Sequence, residues 1–249
     1  MGHMEAQGKE MKTELFRYFR DPLYWLVMGS GIFVRMVLAY FERLYRTADF
    51  WTLSENFWEK IGSVTAGFLV LLVLIRSFSI DREHETLPVI NSTARGRGIL
   101  FFNRFLAGGL VAFISVLLLS AGNYAVTILL ANGIPLPQEF VPLFGYSSLI
   151  AMIGTIGYFV FSASVCDLLQ NQPAAMCICG VPFGIGYFIN TNAIEQFDLF
   201  WFFRYGFFTE LTRGRPLMIR PLFWAAWYSL LTICILWLAT KKKRERKEL

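Results

Sequence analysis

Residues Arg76–Ala107 read RSFSIDREHETLPVINSTARGRGILFFNRFLA, a charged insert set between two strongly apolar runs. Before it, Ile61 to Ile80 (IGSVTAGFLVLLVLIRSFSI) holds one charge. After it, Ile99 to Ala131 is largely apolar, its strongly polar residues being Asn103, Arg104 and Asn123. A membrane-crossing helix takes about 20 apolar residues, so each flank is long enough to span a bilayer and the insert is the loop between two spans. The insert is predicted to hold a small helix of its own. Asp81 or Ser79 can cap it, Glu83 and Glu85 fall in its first turns, where the helix dipole favours carboxylates, and Pro88 disturbs it soon after. Asn91, Ser92, Thr93, Gly96 and Gly98 mark a turn before the next span.

Hydrophobic residues make up 55% of the 249-residue chain, 25 of them Phe, which is far above soluble globular proteins and predicts an integral membrane protein. The net charge of +5 does not point to nucleic acid. Basic residues lie near the membrane edges, and the final run of Lys241, Lys242, Lys243, Arg244, Arg246 and Lys247 directly follows a span, as cytoplasmic anchoring requires. Cys166, Cys177, Cys179 and Cys234 all lie in apolar runs and read as small buried residues rather than metal ligands. Residues 1–9 read as a disordered start containing a tag scar at Gly2-His3-Met4, with no cleavable signal peptide.

In chain order, Glu10 to Arg20 places Met11, Leu15, Phe16 and Phe19 on one side of a helix and Lys12, Arg17 and Arg20 elsewhere, the pattern of an interfacial helix lying on anionic headgroups. Asp21-Pro22 turns the chain into a first span at about 23–45. Arg35 lies about 12 residues into it, roughly 18 Å deep, and is expected to face a cavity or, preferably, to snorkel outward. Phe50, Trp51, Phe57 and Trp58 form an external interfacial belt. The further spans are read at about 61–80, 99–130, 143–169, 174–189 and 221–240. The third is long enough that it must tilt, protrude or break, with Gly108-Gly109 and Gly122 the weak points. Asn123 in its outer half either lines a pathway or, preferably, bonds a neighbouring helix. The turn 132–137 precedes the fourth span, whose Gly and Ser residues allow close helix packing. The segment 191–220 is densely aromatic yet carries Glu195, Asp198, Arg204 and Glu210, which suits short helices dipping into the outer leaflet, with Arg204 a candidate gate residue beside Arg35 and Asn123.

The expected fold is therefore all-α: an N-terminal interfacial helix, six spans and short re-entrant helices before the last. With both termini in the cytoplasm, the inner segments hold Lys9, Lys12, Arg17, Arg20, Arg82, Arg95, Arg97 and the basic tail at 241–249. The outer ones hold seven bases spread over longer loops and offset by acids, which satisfies the positive-inside rule. No GxxxxGK[ST] phosphate loop, HExxH or GxSxG occurs, and His84 is the only histidine outside the scar, so the chain carries no ATPase or hydrolase motif of its own.

Arg82, Glu83, Glu85, Thr86, Leu87, Ser92, Thr93 and Arg95 stand where the ABC type-2 transporter permeases carry their hallmark: a span ending in an acidic, Arg-containing segment, then a Thr-Leu pair and a Ser/Thr turn. The chain resembles that family. Asn103 and Arg104 stand where many relatives have Lys, which keeps the charge, and Ala94 stands where many have Pro. The resemblance implies that the N-terminal helix is an elbow helix and that 81–98 is a coupling helix and loop. Arg82, Glu83, His84, Glu85 and Thr86 would then meet a separate ATPase subunit that holds ATP and Mg. It further implies a second permease subunit, identical or paralogous, a bacterial plasma membrane, and export of an amphipathic or hydrophobic cargo such as a drug, an antimicrobial peptide or a lipid. The rival class is an ion-driven carrier or channel working without an ATPase. That class should show intramembrane acids and internal repeats, and the sequence places no acid deep in a span.

Overall fold

The computed structural model describes residues 12–45, 50, 57, 61–83, 96–131, 133–169, 173–180, 226 and 229–238, and these form helices and turns with no strand among them. A short helix α1 (12–19) leads through a turn at Arg20 into α2 (Pro22–Tyr45). Then come α3 (Ser63–Glu83), α4 (Gly96–Leu130) and α5 (Phe140–Leu169), followed by α6 (173–180) and α7 (Ser229–Leu238). Three of these, α2, α4 and α5, are long and apolar enough to cross a membrane, while α3 and α7 carry shorter apolar stretches. Large apolar side chains such as Leu26, Leu129, Ile233 and Trp237 are more than 60% exposed along helices rather than singly in loops. An apolar surface of that extent is unfavourable in water and natural in lipid.

Helix starts follow local chemistry. Asp21 Oδ1 accepts a hydrogen bond from the Leu23 amide at 3.0 Å, and Pro22, lacking an N–H, occupies the first helical position. α5 begins at Phe140, three residues before the expected Leu143. Pro142 is accommodated because the first-turn amides of a helix have no intrahelical acceptor in any case. Between α4 and α5, Gly133 adopts φ +92, a left-handed conformation that an L side chain rarely takes, and the Ile134 amide closes the turn onto the Ala131 carbonyl at 2.8 Å.

Two expected boundaries differ. α3 does not stop at Ile80 but runs on through Asp81, Arg82 and Glu83, so Asp81 caps no new helix. Gly96 and Gly98 belong to the first turn of α4 rather than to the turn before it. Segment 84–95, where the remainder of a coupling helix would lie, falls outside the described residues, as do 191–220 and 241–249.

α4 is continuous over 35 residues, about 52 Å, which exceeds the roughly 30 Å of a hydrocarbon core. It therefore does not break at Gly108-Gly109 or Gly122. Those glycines are packing sites instead. A Cβ at Gly108 would collide with the Phe159 ring of α5, and one at Gly122 would stand 3.0 Å from Ile32 Cδ1 of α2. Gly31 of α2 lies as close to Thr65 of α3. Lipid gives no hydrophobic drive to helix association, so close backbone approach and the dispersion contacts it permits hold the helices together. The paired contacts show α2 and α4 running one way and α3 and α5 the other, with the main core among them and a smaller cluster of Ala39, Phe50, Val126, Phe140 and Phe144 at the end opposite α1.

Phe50 and Phe57, expected in an interfacial belt, are buried. Phe50 packs on Phe140 with centroids 5.4 Å apart, and Phe57 is fully inside the main core. Of the cysteines, Cys166 and Cys179 are buried as expected, whereas Cys177 and Cys234 are exposed on the apolar surface.

Replacing Gly108 with Ala should destabilise the chain by about 1–3 kcal/mol, because the buried Phe159 ring has nowhere to go. Phe159→Leu in the same chain should recover much of that loss. At Gly29, where a Cβ meets nothing within 4 Å, the same change should be neutral or stabilising. Equilibrium unfolding in detergent measures all three.

Candidate functional site

The expected coupling residues begin on α3. Arg82 and Glu83 extend it as helix, and His84, Glu85 and Thr86 lie outside the described residues. One and two turns back along the same helix, α3 enters a polar network that the sequence analysis did not anticipate. Arg76 Nε donates to Asp21 Oδ2 at 2.7 Å, the same carboxylate whose other oxygen caps α2. Arg17 Nη2 donates to the Arg76 carbonyl at 2.8 Å and Arg17 also meets Glu14, whose second oxygen lies 3.6 Å from Arg104 Nε of α4. Arg76 is 46% exposed, so its Coulombic attraction is screened; Asp21, at 8%, makes the pair directional rather than strong.

The Tyr18 phenol completes the joint. Ser77 Oγ donates to the Val73 carbonyl, so its oxygen accepts from Tyr18 O–H, pinning α1 to α3. Ser115 Oγ likewise donates to Val111 O and accepts from Tyr24 O–H at 2.7 Å, pinning α2 to α4. Leu15 and Phe19, read as the apolar side of an interfacial helix, pack on the core, and Phe16 from the same side is 57% exposed beneath the Arg20 guanidinium, 4.5 Å from its ring centre. Arg17, expected to face headgroups with Lys12 and Arg20, turns inward; Lys12 and Arg20 are exposed. Tyr18 and Asp21 could have been found in the sequence, since both flank the only polar-to-apolar transition before the first span. Nothing local identifies Arg104 as the partner of Glu14.

The second polar feature lies deep in the bundle. Arg35 is 1% exposed, so it does not snorkel. Its Nε donates to Asn123 Oδ1 of α4 at 2.9 Å, and its Nη1 lies 3.6 Å from Glu42, near the far end of α2. Arg35 and Asn123, two of the three candidate pathway residues, are thus brought together, and Asn123 bonds a neighbouring helix as preferred. Arg204, the third, lies outside the described residues. Among the described residues, Nη2 of Arg35 and Nδ2 of Asn123 have no hydrogen-bond partner. A buried donor left unpaired costs about 1–3 kcal/mol. The hydroxyls of Ser120 and Ser148 also lack a partner among the described residues, but a hydroxyl can rotate toward the carbonyl four residues back, as Ser77, Ser115, Thr127, Thr155 and Ser164 do. A guanidinium fork and an amide NH₂ have no such freedom.

Compared with protein-family models and with curated proteins, the chain matches none.

Asp21→Asn keeps the capping oxygen and removes the charge, whereas Asp21→Ala removes both. The Ala variant should therefore be less stable than the Asn variant by about 1 kcal/mol, the worth of a helix cap, in equilibrium unfolding. Burial raises the Tyr18 phenol above its ordinary value of 10.0, with its serine partner acting in the other direction. The folded chain holds that proton more tightly than the unfolded chain, so stability from this group is intact below pH 10 and falls as pH rises past it. A melting series from pH 8 to 11 should show this fall in the wild type and a shallower one in Tyr18→Phe.

Proposed function

We propose that the chain is the membrane-spanning subunit of an ATP-driven exporter of the ABC type-2 class. In this reading it sits in a bacterial plasma membrane with six spans, the α1 end and both termini in the cytoplasm, and α1 as the elbow helix on the inner surface. A separate ATPase subunit, holding ATP and Mg, docks on Arg82, Glu83, His84, Glu85 and Thr86, and a second permease subunit completes the pathway. Cargo is an amphipathic or hydrophobic molecule such as a drug, an antimicrobial peptide or a lipid.

The observation that supports this reading best is the continuity of α3. The helix leaves its apolar stretch at Ser77 and carries on as one rigid rod to Glu83, into the charged segment. A force applied at Arg82 and Glu83 is transmitted along that rod to Arg76 and Ser77. There the network to Asp21, Tyr18 and Arg17 passes it to α1 and α2, and Glu14 passes it to Arg104 of α4. The mobile part of such a transporter needs this kind of stiff lever joined to several spans at one end.

A second reading, an ion-driven carrier working alone, draws support from the Arg35–Glu42 pair within α2, since a charge inside the bilayer commonly marks an ion or substrate path.

Purification of the chain from its native membrane in mild detergent should bring down a stoichiometric Walker-motif ATPase. Replacing Glu85 with Lys or Thr86 with Trp should release that ATPase while the spans remain inserted. A chain that purifies without any ATPase, and that alone in proteoliposomes moves solute down an imposed ion gradient, would establish the carrier instead.

A further inference from the structure

We infer that Arg35 and Asn123 form a site for a single oxyanion, the carboxylate or phosphate head of an amphiphile, inside the helix bundle. The substrate class rests on the exporter reading; the site itself does not.

The two side chains are each 1% exposed and lie on different helices, α2 and α4. Arg35 Nε donates to Asn123 Oδ1, which fixes the amide so that Nδ2 is its remaining, donating end. In a guanidinium, Nε and Nη2 present parallel N–H bonds on one edge. Asn123 occupies the Nε half of that edge, and the Nη2 half is open. The site thus offers one charged donor and one neutral donor, both without acceptors and both held in a rigid frame. Glu42 lies 3.6 Å from Nη1, away from this edge, and attracts the guanidinium without filling the Nη2 position. Glu42 balances charge from the Nη1 side, so what the arrangement lacks is an acceptor for Nη2 and Nδ2, and a carboxylate or phosphate oxygen can accept from both.

Access fits an amphiphile better than a hydrophilic ion. Phe33, Val34 and Met36 of α2 are 60%, 45% and 47% exposed on the apolar surface, on faces of the helix turned away from the buried Arg35, so an amphiphile's tail has apolar surface to lie on along the helix that carries the guanidinium.

The test uses the full chain in phosphatidylcholine nanodiscs, with dansyl-undecanoic acid as the probe and its methyl ester as the uncharged control. The acid should bind at least about tenfold more tightly than the ester, the worth of one charge-assisted hydrogen bond. Arg35→Gln should abolish that preference. Because this variant can fail to fold, Asn123→Asp is the decisive one: its carboxylate completes the Arg35 fork from within. It should melt at or above the wild-type temperature yet lose acid binding by at least about tenfold. Displacement of the probe by phosphatidylglycerol would identify a lipid headgroup as the ligand; no displacement would identify a free carboxylate. Equal binding of acid and ester, or unchanged acid binding by Asn123→Asp, would overturn the site. No ATPase is present in this assay, so a negative result beside a co-purifying ATPase removes the site alone. Binding here by a chain that purifies from its native membrane without any ATPase removes only the exporter reading.

Discussion

Asp21 holds two helices with one carboxylate. One oxygen caps the start of α2 and the other accepts from Arg76 of α3, so the entry of the first long helix and the exit of the second are fixed to the same group. The arrangement gains from Pro22, which can start a helix but not continue one, and from the near-complete burial of Asp21, which limits competition from water. Tyr18, Arg17 and Glu14 extend the joint to α1 and, through Arg104, to α4. Four helices therefore meet at one end of the bundle through polar contacts. Along their length they meet through glycine and small side chains.

These two kinds of contact have different mechanical consequences. Glycine contacts such as Gly108 on Phe159 and Gly31 on Thr65 fix how closely helices approach while forming no directional bond. The polar joint at the α1 end is directional and resists rotation of α3 relative to α1 and α2. A rod that is pinned at one end and packed smoothly along its side can pivot. The proposed exporter mechanism requires this division between a pinned end and a sliding side.

Arg35 is the exception to an otherwise economical treatment of polar groups. Ser77, Ser115 and Thr155 turn their hydroxyls back onto their own helices, Tyr18 and Tyr24 donate to serines so satisfied, and Tyr158 donates to the Cys179 carbonyl. At Arg35 and Asn123 the bundle buries N–H donors of rigid side chains that meet no acceptor among the described residues. In surroundings without water, every such group must find its acceptor in the protein or in a ligand. That is why this pair, rather than the apolar surface around it, is the place where a bound molecule would be recognised.

Much of the helical framework can be read from the chain alone, because its causes are local. Apolar runs of sufficient length mark α2, α4 and α5, Asp21-Pro22 marks the start of α2, and Asn132-Gly133 marks the turn before α5. Boundaries slipped where local signals conflict: Asp81 resembles a cap but continues α3, and Gly96 resembles a turn residue but begins α4. Tertiary structure alone decided the rest. Arg35 meets Asn123 across 88 residues and Asp21 meets Arg76 across 55, and no pattern within either segment encodes the distance between them. Phe50 and Phe57 have the composition of interfacial residues, yet they are buried because the packed helices leave space for rings there. Burial of a side chain depends on what packs against it, and in this bundle the packing partners come from distant parts of the chain.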